Sequence, residues 1–240
     1  MIPKTIHYCW LSGDPIPQDL LRCMESWQRV LPDYEFKLWN FNVFPKNSSL
    51  WVKQAFDAKK YAFAADYIRL YAVYNYGGIY MDMDVEVVKS FNDLLSRDYI
   101  LGYEKAEGIE AGIFGASPKA EWLKKCLDYY DGRSFINGDG SMNMTPLPKI
   151  MYNILKDNGY LDGILAPFQP EYFTAKSYET GKIFKTKNTY TIHHFAGSWT
   201  NGKQKLYKMV SRVAGDRFAR VCSVIYNNLR TLPKKNKLII

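Results

Sequence analysis

Apolar and polar positions alternate over residues 4–10 (KTIHYCW), the period-two rhythm of a strand, and the LSGDP stretch at 11–15 breaks it as a turn. The rhythm becomes helical over 18–30 and stops before Pro32, and a second strand reads over 34–39. Residues 45–49 (PKNSS) form a loop whose Ser49 is placed to cap a helix beginning near Leu50. That helix runs to Tyr76, where Gly77 supplies a left-handed end. Past Gly77-Gly78, a strand sets Tyr80, Asp82, Asp84 and Glu86 on one face and Met81, Met83, Val85 and Val87 on the apolar other. Strand, helix, strand, helix, strand opens a parallel nucleotide-binding sheet, where ligands gather at the carboxyl ends of strands. Trp10 and the Asp82/Asp84 pair both fall at such ends. Farther on, 99–103 and 113–116 read as strands, 118–130 as an amphipathic helix and 131–140 as a loop. Residues 203–230 read as a helix with Leu206, Val210, Val213, Val221, Val224 and Ile225 on an apolar stripe.

Length and composition narrow the class. The 240 residues suffice for one substantial α/β domain, and a hydrophobic share of 47% excludes a disordered chain. No run of 18 or more apolar residues is present, and the opening MIPKTIHYCW lacks the apolar stretch of a secretory signal, so a cytoplasmic protein is expected. Cys9, Cys23, Cys126 and Cys222 show no C-x-x-C spacing and read as reduced thiols. The formal charge of +8 is unevenly placed: residues 201–240 hold six Lys and four Arg against Asp216 alone, so the first 200 residues sum to −1. A nucleic-acid-binding module, suggested by the overall basicity, is disfavoured because the basic residues sit in a tail and do not line an aromatic cleft.

The candidate chemistry lies in residues 61–88. Asp82 and Asp84 offer a hard oxygen site suited to Mg²⁺ or Mn²⁺, with positions left open for the phosphates of a substrate. A solvated acidic face on an edge strand is the plain alternative for Asp-x-Asp alone. A two-metal phosphohydrolase or nuclease is a further one, but it needs more converging carboxylates than Glu86 supplies. Asp66 and Arg69, spaced i, i+3 on a helix, could be a surface ion pair; their Ala-rich neighbours argue for a helix packed on the sheet that buries both. Arg69 has the charge and fork geometry for phosphate.

Four phrases together resemble one family: Ile6-His7-Tyr8-Cys9-Trp10, Ala65-Asp66-Tyr67-Ile68-Arg69, the run Gly77 to Asp84, and His193-His194-Phe195-Ala196-Gly197-Ser198-Trp199. They are similar to the D-x-D glycosyltransferases of the capsular-polysaccharide kind (glycosyltransferase family 32 type), related to the glucosylating domains of large clostridial toxins. The resemblance spans residues 2–200. It implies a GT-A-type Rossmann-like central sheet flanked by helices over 1–200, with 201–240 a basic amphipathic helical appendage. It also implies a metal-dependent, retaining transferase using Mn²⁺ or Mg²⁺ and a UDP-sugar, UDP-galactose or UDP-glucose favoured. The acceptor would be a lipid-linked oligosaccharide in bacterial surface or capsular polysaccharide synthesis.

Residue by residue, the resemblance makes Asp84 a direct metal ligand and Asp82 a contact to ribose, metal or both. His194 is the preferred third ligand, with His193 second; strand neighbours face opposite ways, so only one should reach the metal. Asp66 and Arg69 would hold the donor's sugar hydroxyls and diphosphate, Trp10 would stack on uracil, and Tyr80 would wall the donor site. Ser198 and Trp199 would belong to a loop closing over the donor. Neither a covalent nucleophile nor an acceptor base stands out. Relatives carry a Gly-Pro phrase before a helix near the acceptor where this chain reads Met144-Thr145-Pro146-Leu147-Pro148, which leaves the acceptor open.

The basic tail, 203–237, is expected to hold the protein peripherally on the cytoplasmic face of an anionic membrane, each basic residue contributing at most about 1 kcal/mol. The apolar stripe could instead pack on the domain; for the membrane role, co-sedimentation should show binding to anionic vesicles that weakens with salt and with truncation after Thr200. Equal binding to neutral vesicles would remove this role.

Overall fold

The computed structural model describes residues 1–105, 107–178 and 180–196. β1 (Thr5–Cys9) leads through α1 (Gln18–Val30) to β2 (Glu35–Trp39), and α2 (Leu50–Asp57) and α3 (Tyr61–Tyr76) return the chain to β3 (Gly78–Met81). β4 (Val85–Val87), β5 (Tyr99–Ile100), β6 (Tyr103–Lys105), β7 (Gly108–Ile109) and β8 (Ile113–Ala116) follow. The described part closes with α4 (Glu121–Asp128), α5 (Leu147–Asp157), α6 (Pro170–Phe173) and β9 (Thr191–His193). The described fold is one unit, Met1–Lys176 with Ile183–Phe195. The expected lid residues Ser198 and Trp199 and the basic tail lie outside the described residues.

The α/β class is as expected, and the central sheet is mixed. Its order is β2-β1-β3-β8-β5. β1 runs parallel to β2 and to β3, whereas β8 is antiparallel to β3 and to β5. Side-chain alternation along β3 feeds two cores. Ile79 and Met81 join Ile6, Trp27 and Phe91 on one face, and Tyr80 joins Trp39, Ile68 and Phe114 on the other.

Two expectations are corrected. The single helix from Leu50 to Tyr76 is two helices, because Lys59 takes a left-handed φ of 57° and the polar DAKK stretch interrupts the apolar face. Ser49 caps the first, accepting from the Val52 N–H at 3.3 Å, and Trp51 Nε1 ties the pair by donating to the Phe63 carbonyl at 2.8 Å. The expected strand through Tyr80 to Glu86 breaks after Met81: the Asp82 N–H donates to the Gly112 carbonyl at 2.7 Å and the Val85 N–H to the Asp82 carbonyl at 3.0 Å, forming a turn. β4 then joins a separate two-stranded sheet with β9. α1 holds β4 in place: Trp27 Nε1 donates to the Val85 carbonyl at 2.6 Å, and Ser26 Oγ accepts from the Val87 N–H at 2.9 Å. Helix α5, which the sequence pattern does not announce, buries Leu147, Ile150, Met151 and Leu155.

The reversal from α3 into β3 needs two glycines. Gly77 has φ 66° with ψ −169°, a positive φ but not the expected left-handed helical cap, and a Cβ there would meet Pro118 Cδ at 2.6 Å. Gly78 has φ +95°, and its Cβ would stand 2.6 Å from the Thr5 carbonyl oxygen. His7 locks this reversal. Trp39 Nε1 can only donate, so His7 Nδ1 accepts it at 3.0 Å and Nε2–H donates to the Gly77 carbonyl at 2.8 Å. Burial lowers the His7 pKa, consistent with this neutral tautomer.

Gly78→Ala is expected to cost about 2 kcal/mol or more, from backbone strain plus collision with β1. Gly132→Ala, at φ +68° with open space around it, should lose only about 1 kcal/mol. Urea unfolding of both variants measures the difference, and equal losses would refute the close approach.

Candidate active site

The turn at the end of β3 brings Asp82 and Asp84 together. Along an extended strand, residues two apart are roughly 6–7 Å apart at the backbone. Here one ligand atom from each of Asp82, Asp84 and His193 lies within 4.8 Å of the others. Asp84 Oδ1 stands 3.4 Å from His193 Nε2. The parallel register His7↔Tyr80 puts the end of β1, and therefore Trp10, at the same sheet edge. Trp10 is half-buried and its Nε1 donates to the Asp14 carbonyl at 2.7 Å.

Asp66 and Arg69 are buried, as the alanine-rich face of α3 predicts. Arg69 Nη1 donates to Asp82 Oδ2 at 3.2 Å and to the Ala111 carbonyl at 2.9 Å, Nη2 lies 3.3 Å from Asp66 Oδ1, and Nε donates to the Ala65 carbonyl at 3.4 Å. Burial opposes the guanidinium charge, but Asp82, Tyr80 and Asp66 outweigh it and hold its pKa well above the ordinary value. Burial pushes the Asp66 carboxyl up to about 7 against the pull of Arg69. It raises Asp82 as well, again with Arg69 opposing.

Tyr80 is 1% exposed, which corrects its expected place as a wall of the donor site. Its ring lies under the Arg69 guanidinium at 4.7 Å and its hydroxyl donates to Asp82 Oδ1 at 2.7 Å. Tyr80 braces Asp82 from beneath.

Of the two adjacent histidines, the structure brings His193, and not the preferred His194, to the Asp pair. β9 pairs with β4 in the register Val85↔His193, which puts His193 on the buried face with Val85, and the preceding turn brings Asp84 Oδ1 to its Nε2, while His194 takes the other face. His194 Nε2 meets Glu86 Oε2 at 2.8 Å and its Nδ1 meets Lys176 Nζ at 3.1 Å. Glu86 leaves the site with it.

Two residues outside the expected set complete the surroundings. Glu110 is 1% exposed, and its Oε1 lies 3.1 Å from His193 Nδ1 and accepts the Gly112 N–H at 2.7 Å. Its Oε2 accepts the Thr174 hydroxyl at 2.5 Å. Burial would raise the Glu110 pKa, but His193 more than offsets it. Burial would likewise lower the pKa of His193, yet Glu110 and Asp84 drive it well above the ordinary value. The available sequence signal was an acid inside the apolar run I-E-A-G-I-F at 109–114.

Four carboxylates, Asp66, Asp82, Asp84 and Glu110, thus surround one guanidinium and one imidazole. The surplus negative charge and the oxygen–oxygen–nitrogen donor set fit a hard or borderline divalent cation such as Mg²⁺ or Mn²⁺.

Residues 17–101, which include Asp66, Arg69, Tyr80, Asp82 and Asp84, match the family model described as a glycosyltransferase sugar-binding region containing a DXD motif. Over this stretch, about a third of its length, the chain is similar to that family. The resemblance drawn from the sequence is borne out there. Over 196 residues the chain is 28% identical to Mannosyl phosphorylinositol ceramide synthase SUR1 of Saccharomyces cerevisiae, covering 77% of this chain and 51% of that protein. It is 30% identical over 118 residues to Inositol phosphoceramide mannosyltransferase 3 of Schizosaccharomyces pombe, covering 48% and 33%. The chain thus spans about half or less of the length of these curated relatives. Among solved structures, the PaToxG Glycosyltransferase superposes with a TM-score of 0.49 at 17% identity, covering 65% of this chain and 69% of that one.

Arg69→Ala would leave Asp66 and Asp82 buried without their shared counter-charge, a change expected to cost about 3–5 kcal/mol in equilibrium unfolding. A loss below about 1 kcal/mol would show that solvent, not Arg69, balances these carboxylates.

Proposed function

We propose that this protein transfers a hexose from a nucleoside diphosphate sugar, aided by a divalent cation held by Asp82, Asp84 and His193. The observation that carries the reading is the convergence of these three ligand atoms within 4.8 Å at the carboxyl end of β3, beside a DXD sugar-binding region. A bound cation would supply a Lewis acid for the charge developing on the leaving diphosphate. The chain's own groups prepare that position. Tyr80 and Arg69 fix the two oxygens of Asp82, and Arg69 fixes Asp66 beside it. Because Nε and both Nη atoms of Arg69 already have partners, we read it first as the group that sets these carboxylates and only second as a phosphate contact. Asp66, held in the same network, is the candidate for donor sugar hydroxyls. Trp10, half-buried at the adjacent strand end, is the candidate platform for the base.

The phosphohydrolase alternative has less support. The additional carboxylates near the pair, Glu110 and Asp66, are already engaged by His193 and Arg69, which leaves ligands for one cation.

On the donor, the resemblance around Trp10 favours uridine, and a UDP-hexose is the first reading. A mannosyl donor is the second, favoured by the names of the fungal relatives. Those names also carry a ceramide, which supports an acceptor with a lipid portion. Lipid-linked saccharide assembly at a cytoplasmic membrane face remains part of the proposal.

Asp84→Ala should lower sugar transfer or donor hydrolysis by at least about a hundredfold, and chelation of divalent ions should do the same to the wild type. Titration calorimetry with Mn²⁺ present should show UDP binding more tightly than GDP. Activity that survives both EDTA and Asp84→Ala would overturn the metal reading, and a clear preference for GDP would replace the uridine donor with the mannosyl one.

A further inference from the structure

The site has a buried support that the transferase reading does not itself require. His193 has two ring nitrogens with different surroundings. Nε2 looks toward Asp84 Oδ1 at 3.4 Å. Nδ1 looks toward both oxygens of Glu110, at 3.1 and 3.2 Å. Glu110 is itself immobilised, with the Gly112 N–H on Oε1 at 2.7 Å and the Thr174 hydroxyl on Oε2 at 2.5 Å. Those partners come from separate segments: Gly112 precedes β8 and Thr174 follows α6. Gly112 also lets the ring lie flat against the chain, since a Cβ there would stand 2.5 Å from His193 Cε1 and 2.9 Å from Glu110 Oε1. On the far side, Phe195 stacks on the imidazole with centroids 4.2 Å apart. The ring is thus fixed in plane by Glu110 and Gly112 and covered by Phe195.

We propose that Glu110 is a positioning residue which, with Thr174 behind it, holds His193 so that Nε2 is presented to the Asp82–Asp84 pair as a cation ligand. The inference rests on the metal-assisted reading above. A carboxylate on Nδ1–H fixes the tautomer and raises the basicity of the other nitrogen, and loss of such a support typically weakens metal binding by about 10–100-fold. Thr174 in turn fixes the carboxylate: with one oxygen tied to the Thr174 hydroxyl and the other to the Gly112 amide, Glu110 cannot rotate away from the ring. This arrangement also accounts for the choice between the adjacent histidines. His194 also has a carboxylate, Glu86, on its Nε2 at 2.8 Å, but its other nitrogen, Nδ1, meets Lys176 Nζ at 3.1 Å and not the Asp pair.

The test uses the full chain and Mn²⁺ alone. Calorimetric titration of wild type, Glu110→Ala and the near-isosteric Glu110→Gln should show a dissociation constant raised at least tenfold in Glu110→Ala. Glu110→Gln, which keeps an acceptor for Nδ1–H, should fall between the two. Electron spin-echo spectra of bound Mn²⁺ should contain a nitrogen modulation in the wild type that is lost in His193→Ala and reduced in Glu110→Ala. A general structural defect would not produce that pattern. In turnover assays, raised Mn²⁺ should restore the kcat of Glu110→Gln while the concentration needed stays high. If Glu110→Ala and Glu110→Gln bind Mn²⁺ like the wild type while Asp84→Ala does not, the positioning role is wrong and the metal reading stands. If wild type and Asp84→Ala alike show no saturable Mn²⁺ binding, it is the metal reading that fails.

Discussion

The organisation of this site depends on one buried positive charge. A guanidinium taken out of water is tolerated only when its charge and its N–H groups are matched, and a full set of partners has to be brought to it. Arg69 collects them from three parts of the chain: Ala65 and Asp66 one turn back on α3, Asp82 at the end of β3, and the Ala111 carbonyl ahead of β8. Its position therefore fixes the relative placement of helix, strand and crossing loop. The aromatic face of Tyr80 beneath it adds a cation–π contact, and the same tyrosine's hydroxyl takes the second oxygen of Asp82. Asp82 is set by two donors before any ligand arrives.

A second constraint acts beside the first. The sheet stops at Met81 because the Asp82 amide turns to Gly112, and the next strand belongs to a different sheet paired with β9. That switch makes two independent segments meet at the acidic turn. Asp84 comes from the turn itself and His193 from the end of β9, so the proposed three-ligand set exists only when β4 and β9 are paired. The helix α1, more than fifty residues earlier, secures that pairing through Trp27 and Ser26. A strand segment of three residues would be a weak support alone; anchored by a buried helix it holds a defined geometry.

The region that matches the DXD family model ends at residue 101, before β8 and β9. The groups that complete the constellation, Glu110, Thr174 and His193, come from beyond it. The carboxylate pair and its arginine lie within the matched stretch, whereas the imidazole, which the phrase beginning at His193 pointed to, and its buried support Glu110, which no phrase pointed to, lie beyond it.

Much of the early fold was legible from local pattern. The apolar rhythm located β1, α1, β2 and β8 closely, because each buries one face and its period is written in side-chain order. The same local reading located Asp66, Arg69, Asp82 and Asp84, and the alanines flanking the first two correctly announced their burial. It failed where the outcome depends on segments far apart in sequence. The acidic strand became a turn because a backbone amide found Gly112, thirty residues on. His193 rather than His194 meets the Asp pair because pairing with β4 buries it beside Val85, where the turn after β3 brings Asp84 Oδ1 within 3.4 Å of its ring. Glu110 read as one acid among apolar neighbours, and its meaning comes from a histidine 83 positions later. By itself the sequence determined which residue types were available and the periods of the elements that carry them. Tertiary structure alone decided which of them converge, because hydrogen-bond registers and the need to pair every buried charge are settled only between distant segments.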